Sequence, residues 1–320
     1  MAVTTPSESP QLLFRKRRVS DWDQAVFTAK VALACCLAVA AGYLALSPSW
    51  PVALTGALLL GATYTHMVEL QHQCLHHSAF QAARLHRWVG VPLGIPLLVT
   101  YSHYRVRHLQ HHRYLGTPQD SEFFGFDNRK PITPGLLVRG LLDYSRLVMV
   151  LRDVARSWTG RWSYDIGQIA ERRRREIVAE YRLIGLVIAA AVCAAALGLA
   201  EPLVRLWLLP LAFAVPLHFL VEVPEHLMCE TSTRDVLRNT RSIRGSWLTT
   251  WFTNGNNLHI EHHAAMVVPI NRLRERHQEA ERRAVHVERS YGAFFRKLVA
   301  VAWQNRKEPT GTVSDGAAHD

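Results

Sequence analysis

Three short stretches of this sequence place several metal-binding side chains within a helical turn of one another. The first is His72-Gln73-Cys74-Leu75-His76-His77, the second His108-Leu109-Gln110-His111-His112, and the third His259-Ile260-Glu261-His262-His263. A fourth, isolated candidate is His226, in Val223-Pro224-Glu225-His226. Residues three and four apart share one face of an α-helix. An HxxxH pair therefore aims two imidazoles at one point, and HxxHH aims three from a turn or two. His72, His76, His108, His111, His112, His226, His259, His262 and His263 exceed what one tetrahedral or octahedral ion accepts, and suit two ions with positions left open. One box alone is as often a set of surface histidines; three boxes and a fourth site point to a metal centre. Imidazole takes zinc, copper, nickel and iron alike. A structural zinc site needs only four ligands, and an exporter would set its ligands in mid-membrane. Ligand number and context favour iron, in an all-histidine variety, because the carboxylates of soluble di-iron bundles are missing from the boxes apart from Glu261.

The elements that must position these residues are strongly apolar. Hydrophobic residues make up 49% of the 320, and they cluster in long runs from which charges are swept out. That excludes a disordered or fibrous chain and argues against a water-soluble globule. Residues 25–46 form a first span candidate, interrupted only by Lys30, which lies near enough to one end to snorkel to the interface. Ser47-Pro48-Ser49-Trp50-Pro51 turns the chain, and residues 52–70 return. Residues 88–101 are apolar but too short to cross, with Pro92, Gly94 and Pro96 inside, and read as a re-entrant or interfacial segment. Residues 181–200 make a third span, Glu201-Pro202 a turn, and residues 203–223 a fourth, bent at Pro210 and Pro216. The expected fold is all-α: four transmembrane helices plus the short segment, with a cytoplasmic helical cap carrying the boxes.

Charge supports this map. There are 37 Lys+Arg against 26 Asp+Glu, a net +11. The loops at 47–51 and 201–202 contain no Lys or Arg, and only Arg205 lies close to that side. The remainder, including Arg172, Arg173, Arg174 and Arg175, falls on the other face, which the positive-inside rule makes cytoplasmic. Both termini and the boxes belong there, and the basic balance needs no nucleic-acid partner. Residues 1–24, with Arg15, Lys16, Arg17 and Arg18, read as a cytoplasmic arm and not a signal peptide. Residues 25–303 read as one membrane-embedded catalytic domain and 304–320 as a disordered tail. Stretches 139–151 and 291–303 mix apolar and basic residues at helical spacing, as helices lying in the interface or packed on the cap do. The five cysteines are odd in number and form no CxxC, so neither a disulfide framework nor a thiolate zinc site is expected.

With its motifs in context, the chain resembles the membrane fatty-acid desaturase/hydroxylase superfamily, in which three histidine boxes bind a di-iron centre. The resemblance rests on HQCLHH, HLQHHRYLGTPQDSEF, PEHLMC with NTRSI, and NNLHIEHHAAMVVPINRL, across roughly residues 50–280. It implies that His72 and His76 belong to the first box, with His77 an extra member. It places the second box on His108, His111 and His112, the third on His259, His262 and His263, and the isolated ligand on His226. Glu69, Glu222 and Asn257 are further candidates to bind metal or to orient a ligand imidazole. Two departures stand out: Gln73 occupies a position acidic in many relatives, and Glu222 one where some place a water-holding Asn. His66 and His218 read as hydrogen-bonded core histidines, His86, His277, His286 and His319 as surface residues, and His103 as either. No cytochrome b5-like segment is seen at either end.

The resemblance implies oxygen-dependent desaturation of a fatty acyl or lipid-like chain at two non-haem Fe ions, with O2 as co-substrate. Electrons would come from an external donor, a ferredoxin-like carrier and its reductase, since no flavin, haem or iron–sulfur motif is visible; the basic face around Arg172 to Arg175 could dock an acidic carrier. Membrane lipids are the other expected partners. The alternatives on the same centre are a hydroxylase or another oxidase, acting by carotenoid or alkyl-chain hydroxylation or by oxidative decarboxylation to an alkene. A non-catalytic metal carrier is the competing class. Because ligands must be deprotonated, iron retention is expected to fail below about pH 6.

Overall fold

A computed structural model describes residues 18–117, 119–120 and 130–307. Most of the expected amino-terminal arm, the tail from residue 308 with His319, and the second-box context beyond Asp120 lie outside the described residues. The first helix, α1 (Asp21–Ala45), begins earlier than its apolar run because Ser20 caps it. The Ser20 hydroxyl accepts from the Asp23 N–H at 3.2 Å, and the Asp23 carboxylate accepts from the Ser20 N–H at 2.9 Å. Helix α2 (Trp50–Leu75) starts with Pro51 in its first turn and runs past the expected end of the span, so the first box is its last turn.

Where an interfacial segment is expected, helix α3 (Ala83–Gly94) passes into a 3-10 turn, Ile95–Leu97, and Leu98 adopts a left-handed φ of 59°. The Gln71 amide on α2 donates to the Gly90 and Val99 carbonyls at 2.9 and 3.3 Å, which fastens the bend. The chain then enters α4 (Tyr101–Tyr114), which carries the second box. Residues 139–151 do not form one helix. They divide between α5 (Pro134–Leu141) and α6 (Ser145–Trp158), with Asp143 accepting from the Ser145 N–H at the break. Helix α6 packs on the following helix, where Gly185 admits Val154 and Trp158, and it exposes Val148, Met149 and Leu151.

Among the described residues three helical runs are long and apolar enough to cross a membrane: Asp21–Ala45, Trp50–Leu75 and Glu171–Glu222. The last is 52 residues long, about 78 Å if straight at 1.5 Å per residue, and it is broken at Gly198, whose φ is 96°. The reversal therefore precedes the expected Glu201-Pro202 turn, at the residue able to take that φ without strain. It separates α7 (Glu171–Ala194) from α8 (Leu209–His226). Near the start of α7, Glu180 accepts from the Ser102 N–H and hydroxyl at 2.7 and 2.6 Å. Beyond the break, Arg205 donates to the Ser47 carbonyl at 2.7 Å, at the α1–α2 turn. The run thus leaves the histidine end of the molecule and comes back to it. Leu54, Leu58, Leu186, Val192 and Leu208 point outward, as lipid-facing side chains do.

The remaining chain folds against the histidine end. A one-turn helix, Val236–Asn239, leads into strand β1 (Ser242–Ile243), followed by α9 (Trp247–Phe252) and α10 (His259–Ala264), which bears the third box. Helix α11 (His277–Arg283), strand β2 (Val287–Glu288) and helix α12 (Tyr291–Gln304) complete the cap, with β2 parallel to β1. Helix α12 buries Phe294, Leu298 and Ala302 against Val223, Leu227 and Ile243, so stretch 291–303 packs on the cap. Asn305–Lys307 adds a 3-10 turn where the tail was expected to begin.

Helices α2 and α8 approach closely along the apolar run, and Gly61 permits it: a Cβ there would meet the Pro210 carbonyl oxygen at 2.6 Å. Gly61→Val is expected to cost about 1–3 kcal/mol and to lower the thermal midpoint of the purified protein. Gly135→Ala, in open space, serves as the control, and equal midpoints for the two variants would refute the packing argument.

Candidate metal centre

Four elements deliver the nine imidazoles to one place. The last turn of α2 brings His72, with His76 as its C-cap; α4 brings His108, His111 and His112; α8 ends on His226; and α10 brings His259, His262 and His263. None of the nine is exposed. They form two groups that could each hold a metal ion: His72, His76, His108, His112 and His262 in one, His111, His226, His259 and His263 in the other. Within each group the ligand nitrogens lie within 4.8 Å of one another. The neighbours His111 and His112 go to different groups, as do His262 and His263. The HxxHH spacing thus does more than share a face: its adjacent histidines straddle two metal positions, and the His112 and His263 rings stack across the divide at 4.0 Å.

The nitrogen geometry fits metal ions. His108 Nε2 lies 2.7 Å from His72 Nε2, 2.9 Å from His76 Nε2 and 3.0 Å from His112 Nε2. One ring nitrogen offers one N–H or one lone pair, so three such approaches cannot all be hydrogen bonds. The second group repeats the pattern, with His226 Nε2 at 3.1 Å from both His111 and His259 Nε2. Nitrogens at about 2.1 Å from a shared cation stand about 3 Å apart at right angles, which is the spacing found.

The other ring nitrogens are held from behind. His111 Nδ1 donates to Asp120 Oδ1 at 2.8 Å, His226 Nδ1 to the Asn239 carbonyl at 3.0 Å, and His259 Nδ1 to Asn256 Oδ1 at 2.9 Å. Each bond fixes the tautomer that leaves a lone pair on Nε2. Asn256 also donates to Glu225 Oε1 at 2.6 Å, and the other Glu225 oxygen lies 3.3 Å from His259 Nε2. Ser242 on β1 accepts from the Ile260 N–H and donates to the buried Glu261 carboxylate, which also binds His277 Nδ1 at 2.6 Å.

The chain matches the fatty acid desaturase family over residues 48–295. It belongs to the fatty acid desaturase family. It is also 36% identical over 73 residues to an Oryza sativa subsp. japonica protein named sphingolipid delta(4)-desaturase DES1-like. That match covers 21% of each chain, so the chain spans about a fifth of that relative's length. The buried histidine groups of this family member are compatible with metal binding.

Several expected positions fall elsewhere in this desaturase-family fold. His77 is exposed, takes a left-handed φ of 54°, and stacks on His86 at 4.6 Å, outside both groups. The α2 helix ends at Leu75, so His77 is no longer on its face. Asn257 spends its amide on the Ile243 carbonyl and the Thr253 hydroxyl, tying α10 to β1. Glu222 pairs with His218 at 3.1 Å, and Glu69 is buried on α2 with its carbonyl accepting from Asn254; neither belongs to a metal group. His66 is a core histidine donating to the Phe252 carbonyl at 2.7 Å, and His218 is likewise buried. His86 is not a surface residue: it is buried and accepts from the Ala79 and Phe80 N–H groups. His277 and His286 are partly buried, and His103 hydrogen-bonds the Tyr181 hydroxyl at 2.6 Å. Sequence reasoning missed Asp120, Asn239 and Asn256, and Glu225 although it lies beside His226.

Burial, reinforced by neighbouring imidazoles, holds His76, His108, His112, His259, His262 and His263 well below the ordinary imidazole range. The folded groups stay neutral while the unfolded ones take up protons near pH 6.5, so their contribution to stability is complete above that pH and is lost as pH falls. The thermal midpoint is expected to drop between about pH 7 and pH 5; a midpoint that rises on acidification would contradict the burial of these neutral rings.

Proposed function

We propose that the protein is a multi-pass membrane enzyme that uses two iron ions, O2 and external electrons to place a double bond in a lipid hydrocarbon chain. The meeting of nine imidazoles in two adjoining groups, on a desaturase-family scaffold, carries this reading. In the overall reaction a –CH2–CH2– unit loses two hydrogens, and O2 takes up those two hydrogens together with two external electrons and two protons to leave as two waters. Iron supplies the capacity to activate O2 and to draw hydrogen from an unactivated carbon.

The chain's own residues do the positioning. His72, His76, His108, His112 and His262 would hold one ion, and His111, His226, His259 and His263 the other. Asp120, Asn239 and Asn256 keep three of these imidazoles in the binding tautomer. Val223 and Leu227 beside His226, and Leu258 and Ile260 beside His259, are all buried and would help keep water from these ligands. The α1, α2, α7 and α8 helices would make four membrane passes, with both termini and the centre on the cytoplasmic side. Support comes from the turns at residues 46–49 and 195–204, which contain neither Lys nor Arg.

Expressed with a defined lipid pool, the protein is expected to yield products two hydrogens lighter by mass spectrometry; a gain of one oxygen would assign hydroxylation instead. His262→Ala is expected to lose activity and iron, while His77→Ala keeps its iron. Full activity and iron in His262→Ala would discredit the ligand assignment.

For the electrons we propose an acidic, ferredoxin-like carrier docking on the basic face at Arg172 to Arg175. Arg172 and Arg173 there share Glu176, and Arg174 pairs with Glu171, so the face is only partly neutralised. Turnover supported by such a carrier is expected to fall as salt approaches about 1 M, where screening acts within about 3 Å. Salt-insensitive turnover would place docking elsewhere.

A further inference from the structure

A cavity of about 510 Å3 runs beside α4, between α6 and α8. One part of its wall is apolar, with Val68, Leu97, Leu98, Leu147 and Val150. Leu97 and Leu98 pack there with Ile184 and Leu211 of the membrane-crossing run. His108, a member of the first histidine group, is also on the wall, and so is Tyr104, whose ring lies 5.6 Å from His108 and 6.3 Å from His72. This cavity is where the function proposed above would hold its substrate chain.

The wall is not only apolar. Arg146, His103 and His218 all line it, and each carries a buried nitrogen with no hydrogen-bond partner: Arg146 Nε and Nη2, His103 Nε2 and His218 Nε2. Buried polar groups are almost always satisfied, so several orphans around one cavity mark a place for a polar group of a ligand. The Arg146 pair is the most specific. Nε and Nη2 lie on one edge of the guanidinium, and two parallel N–H groups on that edge match the two oxygens of a carboxylate. Glu222 on α8, also on the wall, pairs with His218 Nδ1 at 3.1 Å and leaves Arg146 Nε and Nη2 without a hydrogen bond. Of the other arginines on the wall, Arg107 meets Asp165 at 3.4 Å and Arg152 meets Asp153 at 4.0 Å.

We propose that Arg146 seats the carboxylate of a single-chain lipid, which lies with its hydrocarbon along Leu97, Leu98 and Val150. Tyr104 both lines this cavity and packs on two imidazoles of the first group. A carboxylate at Arg146 therefore anchors the chain by its head as it passes His108. The proposal rests on the cavity's being the substrate site, and it adds which end of the substrate is held and by what.

The test measures binding to the purified, metal-loaded protein in detergent, by competition against labelled stearate. Stearate is expected to bind at least about ten-fold more tightly than methyl stearate or stearyl alcohol, as loss of a charge-assisted hydrogen-bonded pair implies. Arg146→Met is expected to erase that preference while leaving the uncharged ligands unchanged, Arg146→Lys to recover only part of it, and Glu222→Gln to retain it. Stearyl phosphate separates a carboxylate seat from a general anion seat, and a phosphate bound more tightly than stearate would overturn the carboxylate assignment. Equal affinity of the wild type for stearate and its methyl ester would overturn the proposal without any variant, and so would an Arg146→Met loss shared by all ligands, which means Arg146 merely balances Glu222. In the turnover arm, acids of different chain length are expected to gain the double bond at a constant distance from the carboxyl carbon. A position constant from the methyl end would count against head anchoring. Absence of any double bond would defeat the desaturase reading while leaving the binding result to stand.

Discussion

Nine imidazole nitrogens crowded into two adjoining groups, shielded from water, are the interaction on which the rest of the structure depends. Neutral rings that converge at about 3 Å present lone pairs to one another, and no pattern of single N–H groups can satisfy every approach around His108 Nε2. Cations at the two foci would turn that mutual repulsion into coordination. Metal affinity of this kind is folding free energy, so ions bound there would stabilise the four elements that bring the rings together. In their absence, hydrogen bonds behind the rings must keep the assembly from opening.

Those hydrogen bonds account for polar residues that otherwise look misplaced at the ends of apolar helices. Asp23, buried in the first turn of α1, accepts from Asn271 and from Nε and Nη2 of Arg272, each at 2.9 Å, which moors the segment after the third box to the first membrane helix. Lys30 reaches Asn254 Oδ1 at 2.9 Å, and Asn254 in turn donates to the Glu69 carbonyl and to Gln73 on α2. Gln73, where many relatives carry an acid, is therefore a strut between the first and third boxes. His66 adds its bond to Phe252. Arg241 donates to the Pro224 and Leu227 carbonyls at 2.6 Å and packs over Phe294, locking the end of α8 that carries His226.

Much of this was legible in the sequence, for a definable reason. Spacing of three and four encodes which residues share a face, so the boxes and the all-α architecture could be read directly. Apolar runs likewise marked the helices able to cross a membrane. Spacing does not encode which distant group a side chain meets. Lys30 looks like a residue that snorkels to an interface until the chain more than two hundred residues later supplies Asn254. His86 and His277 look like surface residues until a loop and a buried Glu261 close over them. The reversal at Gly198 was displaced from the expected Glu201-Pro202 because proline can stay in a helix's first turn, whereas a φ of 96° cannot be taken cheaply by the neighbouring alanines and leucines. Asp120, Asn239 and Asn256 were missed because an acid or amide behind an imidazole has no fixed offset from it.

The doublets within the boxes give the two foci unequal surroundings. Splitting His111 from His112 and His262 from His263 assigns one imidazole of each doublet to each focus. The first box then tips the balance, because His72 and His76 lie one turn apart on α2 and serve the same group, while His77 leaves the helix and serves neither. The result is five imidazoles at one focus and four at the other. At the four-imidazole focus stands Glu225, 3.3 Å from His259 Nε2 and held by the same Asn256 side chain whose oxygen takes the His259 Nδ1 proton. One amide thus fixes both an imidazole and a carboxylate on the less crowded side, so the two foci differ in carboxylate as well as in imidazole number.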